Sequence, residues 1–150
     1  MPQPFVRPLL ALAVALSAAC AAPRTVPAAG TASGAGADPL VASLQVAAFA
    51  DSVNFALQVT NAGSAPVELE FASAQTHDFV VSRAGVELWR WSADLMFAQA
   101  LRSETLAPGE TRAFEGTWRV PPGTRGELVA RGFLTARGRR AEQQAAFRLP

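Results

Sequence analysis

The fold of this chain is decided by residues 53–60, Val53-Asn54-Phe55-Ala56-Leu57-Gln58-Val59-Thr60. Apolar side chains stand at every second position of this stretch, with polar or small residues between them. Because successive side chains of a β-strand point to opposite faces, the alternation predicts a strand that is buried on one face only. The turn-forming residues at 61–66 (NAGSAP) predict where this strand ends.

Alternation of the same kind is found on both sides of this strand. Apolar residues recur from Leu44 to Ala48 before it, and from Val67 to Phe71 after it, where two glutamates stand between them. Since only a tight connection separates 53–60 from 67–71, these two strands are expected to be neighbours in space. Further strands are predicted at 78–83 and 86–91, which form a hairpin around Ala84-Gly85, and at 112–120, 127–136 and 142–149.

Short strands separated by turns are the dominant pattern of the chain. Turn signals containing Gly occur at 106–110, 121–124 and 137–140. Only the Ala-rich residues 97–101 are expected to form a single helical turn. About eight such strands predict an all-β fold, a single antiparallel immunoglobulin-like β-sandwich that spans residues 39–150. A true immunoglobulin domain is excluded, because the single cysteine cannot supply its Cys…Trp…Cys pattern.

The composition fits one domain with an N-terminal extension. Half of the residues are hydrophobic and the formal net charge is +1. A domain of about 110 residues buries roughly two thirds of its unfolded surface, which is enough for a core without disulfides or metal. A net charge so close to zero excludes a strong nucleic-acid-binding function.

Residues 1–19 have the layout of an export signal. One arginine precedes an apolar run from Pro8 to Leu16, and the small residues 17–19 lead directly into Cys20. The run is too short to span a bilayer of about 30 Å. Residues 16–20 (LSAAC) resemble the bacterial lipoprotein signal, which implies that Cys20 carries lipid. The alternative is an ordinary signal that is cut nearby and leaves Cys20 as a free thiol.

A lipidated Cys20 would hold the protein on a membrane, because two or more acyl chains anchor stably where one does not. Residues 20–38 are Ala, Gly, Pro and other small residues that bury little apolar surface, and they are expected to form a flexible linker. We therefore expect an exported, membrane-anchored lipoprotein of the bacterial cell envelope, facing the periplasm or the cell surface.

No set of residues in the sequence matches a known catalytic or metal-binding arrangement. His77 is the only histidine, and it is interpreted as a polar loop residue near a strand end. It is followed by Asp78, but adjacent side chains of a strand leave on opposite faces and cannot form a catalytic pair. One histidine and one cysteine do not complete a zinc site, and the acidic residues are too dispersed for calcium. The protein is predicted to be neither an enzyme nor a cofactor-binding protein.

Two segments are candidate partner-binding surfaces. Residues 88–101 (LWRWSADLMFAQAL) contain two of the three tryptophans. Trp89 and Trp91 share one face of the predicted strand and are expected in the core, with Met96 and Phe97 folded back over the end of the sandwich. The residues that are most free to face a partner are then Arg90, Asp94 and Gln99. The second segment is residues 120–125, where two prolines order the backbone in advance; its candidate residues are Pro121, Pro122 and Arg125.

Several short motifs together resemble the BsuPI family, the intracellular proteinase inhibitor domain. The resemblance covers residues 55–118 and extends into the following strands, and its order and spacing are carried by FALQVTN (55–61), VELEF (67–71), SAQTHDF (73–79), ELWRWS (87–92), MFAQAL (96–101) and LAPGE (106–110). It implies a β-sandwich and, from the founding member of the family, inhibition of an intracellular subtilisin-type serine protease.

The two functional hypotheses are both non-catalytic. The first is a protein-binding β-sandwich that inhibits a proteinase, as the resemblance implies. The second is a structural or accessory lipoprotein of the cell envelope, because the export signal places the chain where an intracellular protease cannot meet it. The expected partners are a serine protease or an envelope protein, and the membrane through the N-terminal lipid; the protein is expected to be a monomer.

Overall fold

The computed structural model describes residues 38–150. The predicted signal peptide, Cys20 and nearly all of the predicted linker lie outside the described residues. The described part forms nine β-strands and one 3-10 helix: β1 (Leu40–Ala48), β2 (Ser52–Asn61), β3 (Val67–Phe71), β4 (His77–Arg83), β5 (Val86–Arg90), η1 (Trp91–Asp94), β6 (Arg102–Leu106), β7 (Thr111–Arg119), β8 (Gly126–Leu134) and β9 (Glu142–Leu149). No helix among these residues is long and apolar enough to cross a membrane.

The strands form antiparallel sheets, and the predicted all-β sandwich is confirmed. One sheet has the order β1-β2-β7, a second the order β5-β4-β8-β9, and β3 pairs with β6 in a two-stranded ribbon. An apolar core fills the space between these layers. The count of nine strands is one more than the sequence suggests, because β6 (RSETL) has only one apolar residue and lacks a visible alternation.

The central strand of the first sheet is β2, as its alternation requires. Val53, Phe55, Leu57 and Val59 are all buried, with exposed fractions of 2% or less. Opposite them, β7 supplies Trp118, Gly116 and Phe114 in register. Burial of one face of β2 therefore fixes its register, since a shift by one residue would turn every apolar side chain to the solvent.

The expectation that β2 and β3 are neighbours is wrong. β2 pairs with β1 and β7, whereas β3 pairs with β6. The connection between them carries the chain from one sheet to another, and hydrogen bonds of the Asn61 side chain stabilise this connection. The Asn61 side-chain amide donates to the carbonyls of Ala65 and Leu106 at 2.8 and 3.0 Å, and its side-chain oxygen accepts from the Gly63 N–H at 2.9 Å.

The predicted hairpin is present, with a two-residue turn between β4 and β5. Ala84 and Gly85 both have positive φ, 48° and 81°, which matches the twist of the strands on either side. The register then shifts: Trp89 lies opposite Val81 and Glu87 opposite Ser82, which leaves Leu88 as an extra residue. This bulge turns the end of β5 and leads the chain into η1.

The sandwich has two distinct ends. At one end the chain enters β1 through Asp38, whose carboxylate accepts a hydrogen bond from the Arg140 N–H at 2.9 Å. β1 runs from Leu40, opposite Asn61, to Ala48, opposite Val53. The far end therefore holds the β1–β2 turn and residues 120–125, and the Val120 N–H donates to the Asp51 carbonyl at 2.9 Å.

Candidate functional site

The most exposed apolar segment of the described chain follows η1. We call residues Leu95–Leu101 the methionine loop. Its Met96 side chain is 100% exposed, Leu101 78% and Leu95 44%. The predicted helical turn at 97–101 is wrong, since the loop has no regular secondary structure and the only helical residues between 38 and 150 are Trp91–Asp94. The prediction that Met96 folds back over the core is also wrong.

One residue of the methionine loop points inward. Phe97 is half-buried, and its ring lies 5.8 Å from the ring of Trp91. The Trp91 ring in turn stacks on His77 at 4.4 Å. This cluster of three rings, in which Phe97 is tilted against Trp91, fastens the middle of the loop to the body of the domain.

The backbone of the methionine loop makes few contacts. Leu95 is extended, with φ −110° and ψ 143°, and its N–H donates to the Ser92 carbonyl at 3.2 Å. The Ala98 carbonyl accepts from the Ala74 N–H at 2.9 Å. Within residues 38–150, no other backbone-to-backbone hydrogen bond is formed by residues 96–100. Among the described residues, the N–H groups of residues 96–100 are therefore left without a backbone partner at the surface.

His77 is the first residue of β4 and is buried, so its interpretation as a loop residue is wrong. Its Nε2 lies 3.3 Å from the Glu115 carbonyl and its Nδ1 lies 3.0 Å from the Thr76 hydroxyl. Since a carbonyl can only accept, Nε2 carries the proton and Nδ1 accepts from Thr76. Burial lowers the pKa of His77, against the opposing effects of the Glu115 carbonyl and the Asp78 charge. A neutral histidine held in this way serves as a packing element.

A buried carboxylate holds the root of the methionine loop. The Asp78 side chain is only 3% exposed and accepts hydrogen bonds from the Phe79 N–H at 2.9 Å, the Ser92 N–H at 3.1 Å and the Ser92 hydroxyl at 2.6 Å. Arg90 donates through Nη1 at 3.1 Å to Oδ2, the oxygen that also accepts from the Ser92 hydroxyl. We call these contacts the aspartate network. They tie the first turn of η1 to β4, a strand far from it in sequence.

Glycines make room for the core beside this network. A Cβ on Gly116 would lie 2.7 Å from the Phe79 ring and 3.1 Å from the Trp91 ring, and a Cβ on Gly132 would lie 3.0 Å from the other edge of Phe79. The Phe79 ring therefore sits in a slot between β7 and β8 that only two glycines leave open. The sequence shows both glycines but gives no signal that they face the same ring.

The two tryptophans of β5 and η1 differ in what they contact. Trp89 stacks on Phe55 at 5.6 Å and on Trp118 at 5.9 Å, whereas Trp91 stacks on His77 and meets the Phe97 ring at a tilt. Both are half-buried and pack against the core. The prediction that both tryptophans belong to the core is therefore only partly correct: each packs against core residues, but neither is fully buried.

The structure separates the three candidate residues of this segment. The Arg90 guanidinium is engaged by Asp78 and by Glu87, whose hydrogen bond raises the pKa of Arg90. It is therefore less free than the sequence suggests. Asp94, at the end of η1, and Gln99, in the methionine loop, are exposed. Binding of a partner by these residues stays a prediction.

The second candidate segment is the proline loop, residues 120–125. Pro121, Pro122 and Arg125 are exposed, and a turn is closed by the Thr124 N–H, which donates to the Pro121 carbonyl at 3.2 Å. Arg83 of β4 donates to the Arg125 carbonyl at 2.6 Å, which fixes the end of the loop. A shallow depression of about 510 Å³ separates the loop from the β1–β2 turn and Pro150. Its role in binding also stays a prediction.

Comparison with known proteins identifies the family. Residues 40–138 match the model of the BsuPI family, described as intracellular proteinase inhibitor. The chain belongs to this family. The resemblance inferred from its motifs is confirmed, and a family of proteinase inhibitors implies a protease as partner. Such a family acts by binding, which is consistent with the prediction that the protein is not an enzyme. Within residues 38–150 no three His, Cys, Asp or Glu residues are grouped to hold a metal ion.

The other comparisons find distant similarity. No curated protein matches the chain. Among solved structures, the sporulation control protein Spo0M from Bacillus subtilis is 16% identical, with a TM-score of 0.44 over 75% of this chain and 49% of that one. β-Glucosidase 3B from Thermotoga neapolitana is 12% identical, with a TM-score of 0.43 over 73% of this chain and 16% of the glucosidase. The chain thus spans about half the length of the first protein and about a sixth of the second.

Proposed function

We propose that this protein is a non-catalytic inhibitor of a serine protease of the subtilisin type. The observation that carries the proposal is the match of residues 40–138 to the proteinase inhibitor family. The proposal is supported by exposed segments that are fastened to the body of the domain, through the Phe97–Trp91 contact in one loop and the Arg83–Arg125 hydrogen bond in the other. A segment that is ordered before binding loses less conformational entropy when it enters a partner, and this gain appears as affinity.

The export signal supports a place of action outside the cytoplasm. Lipidation of Cys20 would tether the domain through residues 20–38, which join it at Asp38. The proline loop lies at the end of the sandwich away from Asp38, so the attachment point would not cover it. The proposed partner is accordingly a protease that meets the protein at the bacterial envelope.

The experiment for inhibition is a titration of purified proteases with the purified protein. Subtilisin and chymotrypsin, whose primary pockets take apolar side chains, are compared with trypsin, whose pocket takes a cationic one. Inhibition of at least one of them with an inhibition constant below about 1 μM, equivalent to about 8 kcal/mol of binding free energy, is the expected result. Full activity of all three at micromolar inhibitor would contradict the proposal.

The experiment for the anchor is fractionation of cells that express the protein or its Cys20→Ser variant. The unchanged protein is expected in the membrane fraction and the variant in the soluble fraction, since only the lipid holds the chain there. Membrane association of the variant would contradict lipidation. Crosslinking in the same cells identifies the partner, and an envelope assembly protein in place of a protease would favour an accessory role.

A further inference from the structure

We propose that the methionine loop is the segment that enters the protease, with the Met96 side chain in the primary specificity pocket of the enzyme. This inference rests on the proposed inhibitory function and names the residues that perform it. It also names the class of partner, a protease whose primary pocket is apolar. Three features of the loop support it: its backbone, its side chains and the way in which it is held.

The backbone of the loop is suited to pairing with another chain. Leu95 is extended, and no residue from 95 to 101 has a positive φ. Within the described chain, the N–H groups of residues 96–100 have no backbone partner. An extended segment with unpaired N–H and C=O groups can add as a strand to the edge of a binding cleft, where main-chain hydrogen bonds give affinity and alternate side chains give specificity.

The side chains of Met96 and Phe97 point in opposite directions, as those of neighbouring residues in a strand do. Met96 points fully into solvent, whereas Phe97 turns back onto Trp91. The seven residues 95–101 (LMFAQAL) carry no charge, so nothing in them would complement an acidic pocket. Met96 is unbranched and flexible, and its long apolar side chain fits a narrow apolar slot. Its complete exposure costs the free protein hydrophobic free energy that binding in such a slot would recover.

Both flanks of Met96 are held to the body of the domain. On one side the aspartate network fixes Ser92, and on the other the Phe97 ring packs on Trp91. The loop is therefore supported from β4 and from η1 at once. A segment cut by a protease must leave the cleft to release products, and a segment fastened at both flanks separates slowly. Preorganisation of this kind slows dissociation more than it speeds association.

The proline loop lacks these properties. Its chain is folded back by the bond from Thr124 to Pro121, and Gly123 has φ 84°. Its two prolines have no N–H group to donate to a cleft. This loop is rigid but not strand-like, and it provides the matched control for the experiment.

The experiment exchanges the residue at position 96 in the purified protein. Met96→Leu keeps an apolar side chain, Met96→Asp introduces a charge, and Met96→Arg introduces the side chain that trypsin recognises. We expect Met96→Leu to change the inhibition constant for subtilisin or chymotrypsin by less than about 3-fold and Met96→Asp to weaken it by more than about 30-fold, the size of a hot-spot loss. Met96→Arg is expected to gain inhibition of trypsin, which a merely structural role would not produce.

Oxidation provides a second test on the same atom. Hydrogen peroxide transfers one oxygen to the Met96 sulfur, which gives the sulfoxide and water and makes the side chain polar. Met96 is the only methionine besides Met1. Peroxide treatment is expected to weaken inhibition by the unchanged protein and to leave the Met96→Leu variant unaffected. Equal loss in both proteins would count against a role for the Met96 side chain.

The outcomes separate this inference from the function on which it rests. Inhibition that persists in Met96→Asp and Met96→Arg, and is lost instead when Pro121 and Pro122 are replaced by Ala, would overturn the inference and leave the inhibitory function intact. Failure of the unchanged protein to inhibit any of the three proteases would overturn both. Because Met96 is fully exposed, none of its replacements should change the thermal unfolding curve, which is measured for every variant.

Discussion

The proline loop and the methionine loop are both fastened to the body of the domain, but only the proline loop is also ordered by its own residues. In the first, two prolines fix φ and one short-range hydrogen bond closes the turn. In the second, seven residues without regular structure depend on Asp78 of β4 and on the contacts among the rings of Phe97, Trp91 and His77. Contacts from outside reach both loops, through Arg83 in the first and Asp78 in the second, but the methionine loop lacks the local constraints that the prolines give the first.

This difference has a consequence for binding. A loop ordered by prolines gives up some of its own hydrogen-bonding groups to become rigid. A loop ordered from the body keeps its backbone groups available for a partner. The methionine loop can therefore be rigid and strand-like together, and the following predictions test that distinction.

Loss of the aspartate network should have the largest effect. Asp78→Ala removes the hydrogen-bond acceptor of the Ser92 N–H and hydroxyl groups and one of the two carboxylate partners of Arg90. We therefore expect a loss of about 3 kcal/mol in the free energy of unfolding. Urea unfolding measures this loss. Hydrogen exchange should accelerate at Ser92 and Leu95, whose N–H groups are bonded in the folded protein, but not at Thr124 of the proline loop.

The matched control for Asp78 is Glu87, the exposed acid that binds the same arginine. Glu87→Ala should cost no more than about 0.5 kcal/mol, because an exposed ion pair contributes little. Equal losses for the two variants, or faster exchange in both loops after Asp78→Ala, would show that the network does not act on the methionine loop selectively.

Filling the slot beside Phe79 should have the next largest effect. In Gly116→Ala the new methyl group meets the rings of Phe79 and Trp91, so we expect a loss of about 1–3 kcal/mol and a displaced methionine loop. Thermal or urea unfolding measures it. Combined with Phe79→Leu, the same substitution should cost less than the sum of the two single changes, and strict additivity would contradict the proposed contact.

The pH dependence of stability should reveal the buried His77. Its pKa is lowered from 6.5 by burial, so below pH 6.5 the unfolded chain binds a proton that the folded protein does not. This group therefore leaves stability unchanged above pH 6.5 and reduces it as the pH falls from 6.5 through the lowered folded value. The His77→Gln variant, which keeps an N–H donor but does not titrate, should lose this slope; an identical slope in both proteins would be inconsistent with a buried neutral histidine.

Changes in the proline loop should have the smallest effect. Pro122→Ala mainly increases the freedom of the unfolded chain, and we expect a loss of about 0.4–1 kcal/mol in unfolding free energy. Inhibition of a protease should stay within about 2-fold of the unchanged protein, since the proposed contact lies elsewhere. A large loss of inhibition with a small loss of stability would instead assign the contact to the proline loop.

The parts of the fold that depend on local pattern could be predicted from the sequence. The alternation in β2 and β3 gives their buried faces, and Ala84-Gly85 gives the hairpin turn, because each depends on neighbouring residues alone. β6 could not be predicted, since its partner β3 supplies most of the apolar residues of the ribbon. The prediction that β2 and β3 are neighbours was wrong for a related reason. A short connection places two strands close together in the sequence, but it does not show whether the chain stays in one sheet.

The candidate site was only partly accessible from the sequence. Residues 88–101 stand out by their tryptophans, and Asp94 and Gln99 are exposed as expected. The burial of His77 and the engagement of Arg90 were not visible, because each depends on strands that meet only in the folded protein. The exposure of Met96 was not visible either, because an apolar residue is expected in the interior. Only the structure shows that its neighbour Phe97 takes the inward position.

The sequence by itself determined the β-sandwich, the family and the positions of the turns, because alternation, turn chemistry and ordered motifs are local properties of the chain. Only the tertiary structure decided which strands pair, that His77 and Asp78 are buried, and that the N–H groups of residues 96–100 are left without a backbone partner within the described chain. The physical reason is that burial and hydrogen-bond pairing join residues distant in sequence. Asp78 and Ser92 lie fourteen positions apart, and His77 and Glu115 thirty-eight, yet their contacts hold the methionine loop in place.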